Sequence, residues 1–387
     1  DLMWLWESGF TYNGEVFDTM LGEYILQRGQ KEPLSLEACA ERHQLHTKKQ
    51  DTLKEYFKQG LNVSEIPHDE LSEYLSADLH ATQQLFRHQD KEYTFGKGKT
   101  LLDTIRLTNQ LAVHLARIYQ RGFKVDLTVL EEVRKEFEQE KQELTVKLEE
   151  QVHELMGDRP INLNSPEQLS WIIYSRKVND KPVWSAAYED RVSNTQHTDN
   201  IRRLTTKLYK QKAERCNECY GSGQIRKTRK DGTPHKNTNK CPTCSSTGFL
   251  YTNKKDFAGL KFIAPDYKWA SANGFSTSKG NLIYLEGIAR SRGMHDAEVF
   301  LQRVRRLSAL DTYLSSFVEG IATHVKPDGM LHVRLLQHRT GTGRLSGADP
   351  NMQNMPRGGT FPVKKVFISR WDGGEILEAD FAQLEFR

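Results

Sequence analysis

Two Cys-x-x-Cys pairs, Cys216-Asn217-Glu218-Cys219 and Cys241-Pro242-Thr243-Cys244, stand 21 residues apart in this 387-residue chain. Each pair can turn both sulfurs toward one ion, and two such knuckles complete the tetrahedron of a four-thiolate zinc site. Few local patterns constrain a chain more, because the residues between the pairs must lead back to where they began. The one other cysteine is Cys39, and no charged-then-apolar secretory segment opens the chain, so metal is favoured over disulfides. Cys39, which follows Leu36, reads as a small core residue. His235 is surplus to four thiolates and reads as a loop residue.

The cysteine region is also strongly basic. Residues 201–255 hold 14 Lys or Arg against 3 Asp or Glu, a balance of +11, which leaves about −7 for the rest of a chain whose net charge is +4. A basic island in a mildly acidic chain points to a polyanionic partner, and its cysteines favour nucleic acid over a merely solvated loop. With 37% hydrophobic and 27% charged residues, the chain can build two or three cores. No apolar run nears the roughly 20 residues of a bilayer span, so no membrane partner is expected. A reducing, cytoplasmic setting is the default.

Periodicity and caps predict a largely helical chain. Asp18 is placed as an N-cap for Met20 to Leu26, and Tyr74 and Asp78 share one helical face at i,i+4. The segment from Leu101 to Arg121 reads as a helix ending at Gly122. Asp126 caps a long helix whose apolar stripe runs Leu130, Val133, Phe137, Leu144, Leu148, Val152 and Leu155, interrupted by Lys141. Ser165 and Pro166 open the next helix. From about Val178 to Asn273 no sustained helical or strand period surrounds the cysteines, and this stretch reads as an insertion. Helical pattern returns from Leu282 to Glu319; Val363 to Ser369 and Glu375 to Asp380 then read as a β-hairpin turning at Trp371 to Gly374. No repeat of 20 to 50 residues is visible.

The end of the chain carries Thr342-Gly343-Arg344-Leu345-Ser346, then Pro350-Asn351-Met352-Gln353-Asn354-Met355-Pro356, then Asp380-Phe381-Ala382-Gln383-Leu384-Glu385-Phe386-Arg387. This order resembles family A DNA polymerases, whose pattern reads TGRLS, PNLQNIP and DYSQIELR. The resemblance implies that Asp380 binds the two Mg²⁺ ions of nucleotidyl transfer, that Glu385 excludes a ribose 2′-hydroxyl from the dNTP, and that Gln383 lies close by on the minor-groove side. It makes Arg344, Asn351, Gln353 and Asn354 contacts to primer-template DNA, where arginine and amide groups can grip any sequence. Gly347 departs from the family's second serine, and Phe381-Ala382 from its Tyr-Ser. The family's later nucleotide-gripping helix and second metal-binding aspartate are not among these residues, so the chain is expected to be a piece of a longer polypeptide and inactive alone.

The start of the chain bears a second resemblance. Phe17-Asp18-Thr19-Met20-Leu21 with Tyr24-Ile25-Leu26 matches the FDTML..YIL segment of bacterial DNA polymerase I, and Tyr74 with Asp78 matches the Tyr-x-x-x-Asp motif of the 3′-5′ proofreading exonuclease. Carried over, Asp78 ligates metal, Tyr74 orients the attacking water, and Asp1 falls where the family has its second exonuclease carboxylate. The motif's upstream Asp-x-Glu pair is not among these residues, so hydrolysis is expected to fail.

Together these readings predict an α+β multidomain chain: a remnant of an RNase H-like exonuclease domain over 1–95, a helical polymerase thumb over 96–310, and the start of a β-sheet palm over 311–387. The insertion at about 178–273, with a Cys219-Tyr220-Gly221-Ser222-Gly223 run that resembles the zinc repeats of J-domain chaperones, would sit on the thumb. Its Arg226, Lys227, Arg229 and Lys230 would clamp DNA phosphates, with docking of a processivity factor as the competing reading. A thumb insertion suggests a bacteriophage source, hence the host cytoplasm. The rival from another class is a non-catalytic zinc-containing DNA-binding protein derived from a polymerase.

Overall fold

The structure, a computed structural model, describes residues 1–45, 52–189, 191–228, 234–272, 274–355 and 362–380. The chain begins with helices α1 (Leu2–Glu7), α2 (Thr19–Leu26), α3 (Leu36–Arg42), α4 (Thr52–Lys58), α5 (His68–Thr94) and α6 (Leu102–Arg121). Strand β1 (Phe123–Val125) leads into α7 (Leu127–Met156), followed by α8 (Pro166–Tyr174), β2 (Arg176–Val178), α9 (Lys181–Ala186), α10 (Asn194–Leu204) and β3 (Thr205–Lys207). The cysteine region forms β4 (Tyr209–Arg215), β5 (Gln224–Thr228), β6 (Pro234–Lys240) and β7 (Phe249–Phe257). After β8 (Ala270–Ser271) and β9 (Gly274–Phe275) come α11 (Lys279–Ser291), α12 (His295–Thr312) and α13 (Glu319–His324). Strands β10 (Met330–Leu331), β11 (Arg334–Leu336), β12 (Ser346–Ala348) and β13 (Phe367–Ile368) complete it.

Two compact units divide these elements. Unit 1 joins Asp1–Arg134 to Ser315–Arg387, and unit 2 is Lys135–Leu314, so the units cut across the three segments expected from the sequence. No helix among the described residues is long and apolar enough to cross a membrane.

In unit 1 the Asp18 carboxylate accepts from the N–H groups of Met20 and Leu21 at 2.9 and 3.1 Å, the N-cap that the sequence predicts. Leu21, Tyr93 and Ile105 pack α2, α5 and α6 together, and Tyr93 donates its hydroxyl to the Gly22 carbonyl at 2.7 Å. Glu23 is buried among them. Its carboxylate meets Arg42 Nη1 at 2.8 Å, His43 Nε2 at 2.9 Å and Gln89 Nε2 at 3.1 Å. Burial opposes that charge, but the hydrogen bonds from His43, Arg42 and Gln89 prevail and hold the carboxyl below its ordinary range. Cys39 is buried on α3, as expected of a small core residue. The three-stranded antiparallel sheet β10-β1-β13 pairs Phe123 with Leu331 and Val125 with Phe367.

The expected hairpin at the end of unit 1 does not form among the described residues. Residues 362–366 make a 3₁₀ turn, β13 has two residues, and it pairs with β1 rather than with residues 375–380. Residues 374–380 hold no regular structure, with Leu377 93% exposed. Alternating apolar residues set a strand's faces, but the ladder partner decides whether a strand exists.

Unit 2 is built on one apolar core in which Leu148, Ile172, Trp184, Leu285, Phe300 and Leu301 are fully buried. Within the stretch expected as an insertion, Val178, Trp184, Leu260, Phe262 and Trp269 all belong to this core, buried His197 reaches the Ala264 carbonyl at 3.2 Å, and the ribbon at 209–257 is the part that leaves the core. Polar and basic residues between the apolar ones hide the helical period of α9 and α10. The helical run after Leu282 is likewise interrupted, at Gly293 with φ +66°. Lys141, the break in the α7 stripe, pairs with Asp311 at 2.6 Å, and Arg306 grips both oxygens of Glu140.

Candidate metal centre and nucleic-acid interface

The β4–β7 ladder, registered from Tyr209↔Phe257 to Arg215↔Phe249, forms a two-stranded stem whose far end carries the knuckles. Strands β5 and β6 pair as a second hairpin between them. Strands thus surround the cysteines where the sequence shows no sustained strand period, and His235 lies in β6 rather than in a loop. Strands of Lys, Arg, Thr and Asn escape detection because neither face is apolar, and β7 is exposed along nearly all its length.

All four cysteines are buried, and their sulfurs lie within 4.8 Å of one another. Cys216 and Cys241 Sγ are 3.9 Å apart, and Cys219 and Cys244 Sγ 3.6 Å. Zinc–sulfur bonds of about 2.3 Å in a tetrahedron put sulfurs about 3.8 Å apart, so the donor set fits such an ion. Backbone N–H groups of Gly223 and Gly248 each point at a sulfur, Cys219 and Cys244 respectively, at 3.3 Å. Burial works against the Cys219 thiolate, but the Gly223 N–H and the neighbouring thiols hold its pKa below the ordinary thiol value. Burial pushes Cys241 the other way.

The two knuckles are copies of one another at an offset of 25 residues. Ser222 Oγ lies 2.7 and 2.8 Å from the Cys219 and Gln224 carbonyl oxygens, while Thr247 Oγ1 lies 2.7 Å from those of both Cys244 and Phe249, so each hydroxyl can donate to either of two equivalent carbonyls. Cys216 N–H donates to Gly248 O at 2.9 Å and Cys241 N–H to Gly223 O at 3.0 Å, so each knuckle closes the other. A Cβ on Gly223 would meet the Ser246 carbonyl, and one on Gly248 the Gly221 carbonyl. The sequence shows no repeat at the scale of whole structural units. The signal for this one is Cys-x-x-Cys, then a spacer, Gly or Ser, Ser or Thr, and Gly in both copies, too short and too diverged to register by composition.

The stem's root carries no sequence signal either. Asp158 Oδ2 accepts from Ala213 N–H at 2.8 Å, its N–H donates to Gln211 O at 2.9 Å, and His153 Nε2 lies 2.9 Å from Oδ1. Above it the stem presents exposed Lys212, Arg215, Lys254 and Lys255, and Arg226 is exposed on β5. Lys227 lies in β5; Arg229 and Lys230 fall outside the described residues.

In unit 1, β11 and β12 pair from Arg334↔Ala348 to Leu336↔Ser346, and their connection holds Arg344. Thr340 Oγ1 donates to the Arg344 carbonyl at 2.7 Å, and Tyr24 donates its hydroxyl to the Thr340 carbonyl at 2.5 Å. Asn351 Oδ1 accepts from Gln353 N–H at 3.2 Å and caps the 3₁₀ turn Met352–Asn354. A Cβ at Gly347 would stand 2.8 Å from Asn351 Oδ1, so glycine there leaves room for this cap. Arg344, Asn351, Gln353 and Asn354 are exposed, as is Asp380. Asp380 does not leave a strand as expected, and Gln383 and Glu385 lie outside the described residues. Tyr74 and Asp78 share α5; Asp1 is exposed ahead of α1. Among the described residues the four cysteines are the sole group of three or more His, Cys, Asp or Glu placed to hold a metal. Among the described residues the carboxylates of Asp380, Asp1 and Asp78 gather no such set.

A family model described as DNA polymerase family A matches residues 257–387. DNA polymerase I of Bacillus subtilis is 23% identical over 384 residues, which is 98% of this chain and 32% of that protein. Thermostable DNA polymerase I of Thermus filiformis is 36% identical over 115 residues, 29% of this chain and 13% of the relative. The DNA polymerase of Bacillus phage SP01 is 39% identical over 82 residues, 19% of this chain and 9% of the relative. Among solved structures, the POL domain of Pol1 from M. smegmatis, in complex with DNA primer-template and dNTP, has a similar fold with a TM-score of 0.52 and 19% identity over 94% of this chain and 43% of that one. The chain thus spans about a third of the length of the Bacillus subtilis relative. The chain is similar to the DNA polymerase I proteins, and its residues 257–387 match the model of DNA polymerase family A.

Proposed function

We propose that this chain is part of a DNA-directed DNA polymerase that adds dNTPs to a primer end. The observation that carries this reading is the family match over 257–387 together with the exposed, ordered presentation of Arg344, Asn351, Gln353 and Asn354 behind the β11–β12 hairpin. In this reading those side chains hold primer-template DNA, Asp380 supplies a Mg²⁺ ligand, and Gln383 and Glu385 sense the incoming nucleotide. Residues 1–95 are the end of a proofreading domain that carries Asp1, Tyr74 and Asp78, residues 96–310 the thumb, and residues 311–387 the opening of the palm. The Cys₄ site holds a structural Zn²⁺, and the ribbon's Lys and Arg residues add phosphate contacts.

The test is binding of a primer-template duplex at increasing salt. Neutralised phosphates release counterions, so affinity should fall steeply, and Arg344→Ala should weaken binding without changing the zinc content. Salt-independent binding overturns the reading. The second reading, a zinc-containing DNA binder without catalysis, is favoured by the gathering of all four cysteine sulfurs, while among the described residues no carboxylates form such a group. Primer extension by the protein as expressed from its own gene separates the two. Extension lost in Asp380→Asn supports the polymerase, and its absence in the wild type supports the binder.

A further inference from the structure

The two knuckles differ at one position in a way that the metal site does not explain. Tyr220 follows Cys219 with φ +50°, and Ser245 follows Cys244 with φ +49°. The turn therefore imposes a left-handed backbone here whatever the side chain, a conformation that suits glycine, asparagine or a small residue better than a bulky one. Ser245 meets that demand. Tyr220 gains nothing from the backbone, and little from packing, because it is 76% exposed. Its carbonyl is held instead, by Arg215 Nε at 2.8 Å, which fixes the main chain beneath the ring.

The surroundings match one kind of partner. Arg215 is exposed, and across the ladder from it Phe249 is 42% exposed, with Leu250 beside it 36% exposed. Residues 209–257 hold 11 Lys or Arg against 4 Asp or Glu. A cationic tip that presents an aromatic face is complementary to a polyanion with flat rings of its own. In a duplex those rings are stacked on one another and offer only edges and phosphates. An unpaired nucleotide offers a free face.

We propose that Tyr220 is a stacking residue that takes an unpaired base of single-stranded DNA, while the ribbon's lysines and arginines hold its phosphates. This inference rests on the phosphate-binding reading of the ribbon given above and assigns it a substrate form.

The test is a fluorescence-anisotropy titration of the 387-residue chain with a labelled oligo-dT strand and with a blunt duplex of the same length. Wild type, Tyr220→Ala, Tyr220→Leu and Tyr220→Phe are compared after measurement of bound zinc. Stacking on one base predicts a loss of about 5- to 100-fold for the single strand in the Ala variant, an intermediate loss in Leu, near-wild-type binding in Phe, and an unchanged duplex affinity throughout. Should Ala disturb zinc binding, the Leu and Phe comparison decides alone. Equal single-strand affinity in Leu and wild type overturns the proposal, as does an equal loss on both ligands. A separate Arg226→Ala/Lys227→Ala variant tests the underlying reading: if neither affinity nor salt dependence changes, the phosphate contact fails whatever Tyr220 does.

Discussion

In the ribbon, four sulfurs from 29 residues of chain come within 4.8 Å of one another and the backbone closes around them. In the segment from β11 to Asp380, Arg344, Asn351, Gln353, Asn354 and Asp380 stand in solvent, and what is fixed is the backbone that presents them. Both regions carry strong sequence signals. The difference is where the groups that complete each site come from. The ribbon's four sulfurs, its N–H···S donors and its reciprocal knuckle bonds all lie between Cys216 and Phe249. The carboxyl-terminal residues are of the kinds that grip phosphates or metal, but among the described residues they are not gathered by one another. A motif announces chemistry in both cases, and only the first also encloses it.

Metal removal should separate the two regions most sharply. Structural zinc sites couple about 10–16 kcal/mol of binding to folding, so chelation or Cys216→Ser should unfold the ribbon. Hydrogen exchange is the readout: amides of β4 to β7 should lose protection while those of α12 and of the β11–β12 hairpin keep theirs. Simultaneous loss in β11 and β12 would mean that the two regions are not independently held.

A cavity in the unit 2 core tests the converse. Trp184 is fully buried and donates its indole N–H to the Ser271 carbonyl at 2.8 Å. Trp184→Ala should destabilise unit 2 by about 3–5 kcal/mol. Zinc stoichiometry below the transition should nevertheless stay at the wild-type level, and a fall there would show that the ribbon leans on the core for its site.

Unit 1 offers a charge where unit 2 has sulfur. Removing the Glu23 carboxylate leaves Arg42, His43 and Gln89 short of a buried acceptor, so Glu23→Gln should cost about 1–3 kcal/mol. The sign of the pH effect comes from the lowered pKa. Stability contributed by Glu23 is complete above the ordinary value of 4.5 and is lost as pH falls through the depressed folded value. Urea midpoints of the wild type should therefore drop more steeply on acidification than those of Glu23→Gln, and parallel curves would remove Glu23 from the account.

The smallest effect on stability belongs to Arg344. As an exposed side chain it should change the unfolding free energy by less than about 0.5 kcal/mol on replacement by alanine. Its consequence should appear in DNA affinity alone. A large loss of stability would mean that Arg344 supports the hairpin connection rather than presenting itself from it.

Much of the local structure was legible. Asp18, Asp126 and Ser165 cap the helices they precede, with Asp126 Oδ1 accepting from Thr128 and Val129 N–H at 2.9 and 3.1 Å. Caps are readable because a short polar side chain needs only the next two or three N–H groups. The inward-facing residues of the 178–273 stretch were not legible, since Trp184 and His197 sit among polar neighbours and only packing reveals which residues face inward. Nor was the end of the chain: Ile376 and Leu377 lie between acidic residues in a stretch that reads as a strand, yet stand 58% and 93% exposed.

The sequence by itself determined the two cysteine pairs, the helix caps, the charge of the ribbon and the family match of residues 257–387, because each depends on residue type at short spacing. Tertiary structure alone decided that two unlike knuckles form one mutually closed pair, that Asp158 roots the stem, and that Tyr220 carries an exposed ring on a left-handed turn. Those outcomes rest on backbone groups meeting across tens of residues, and a backbone N–H or carbonyl is the same in every residue that could supply it.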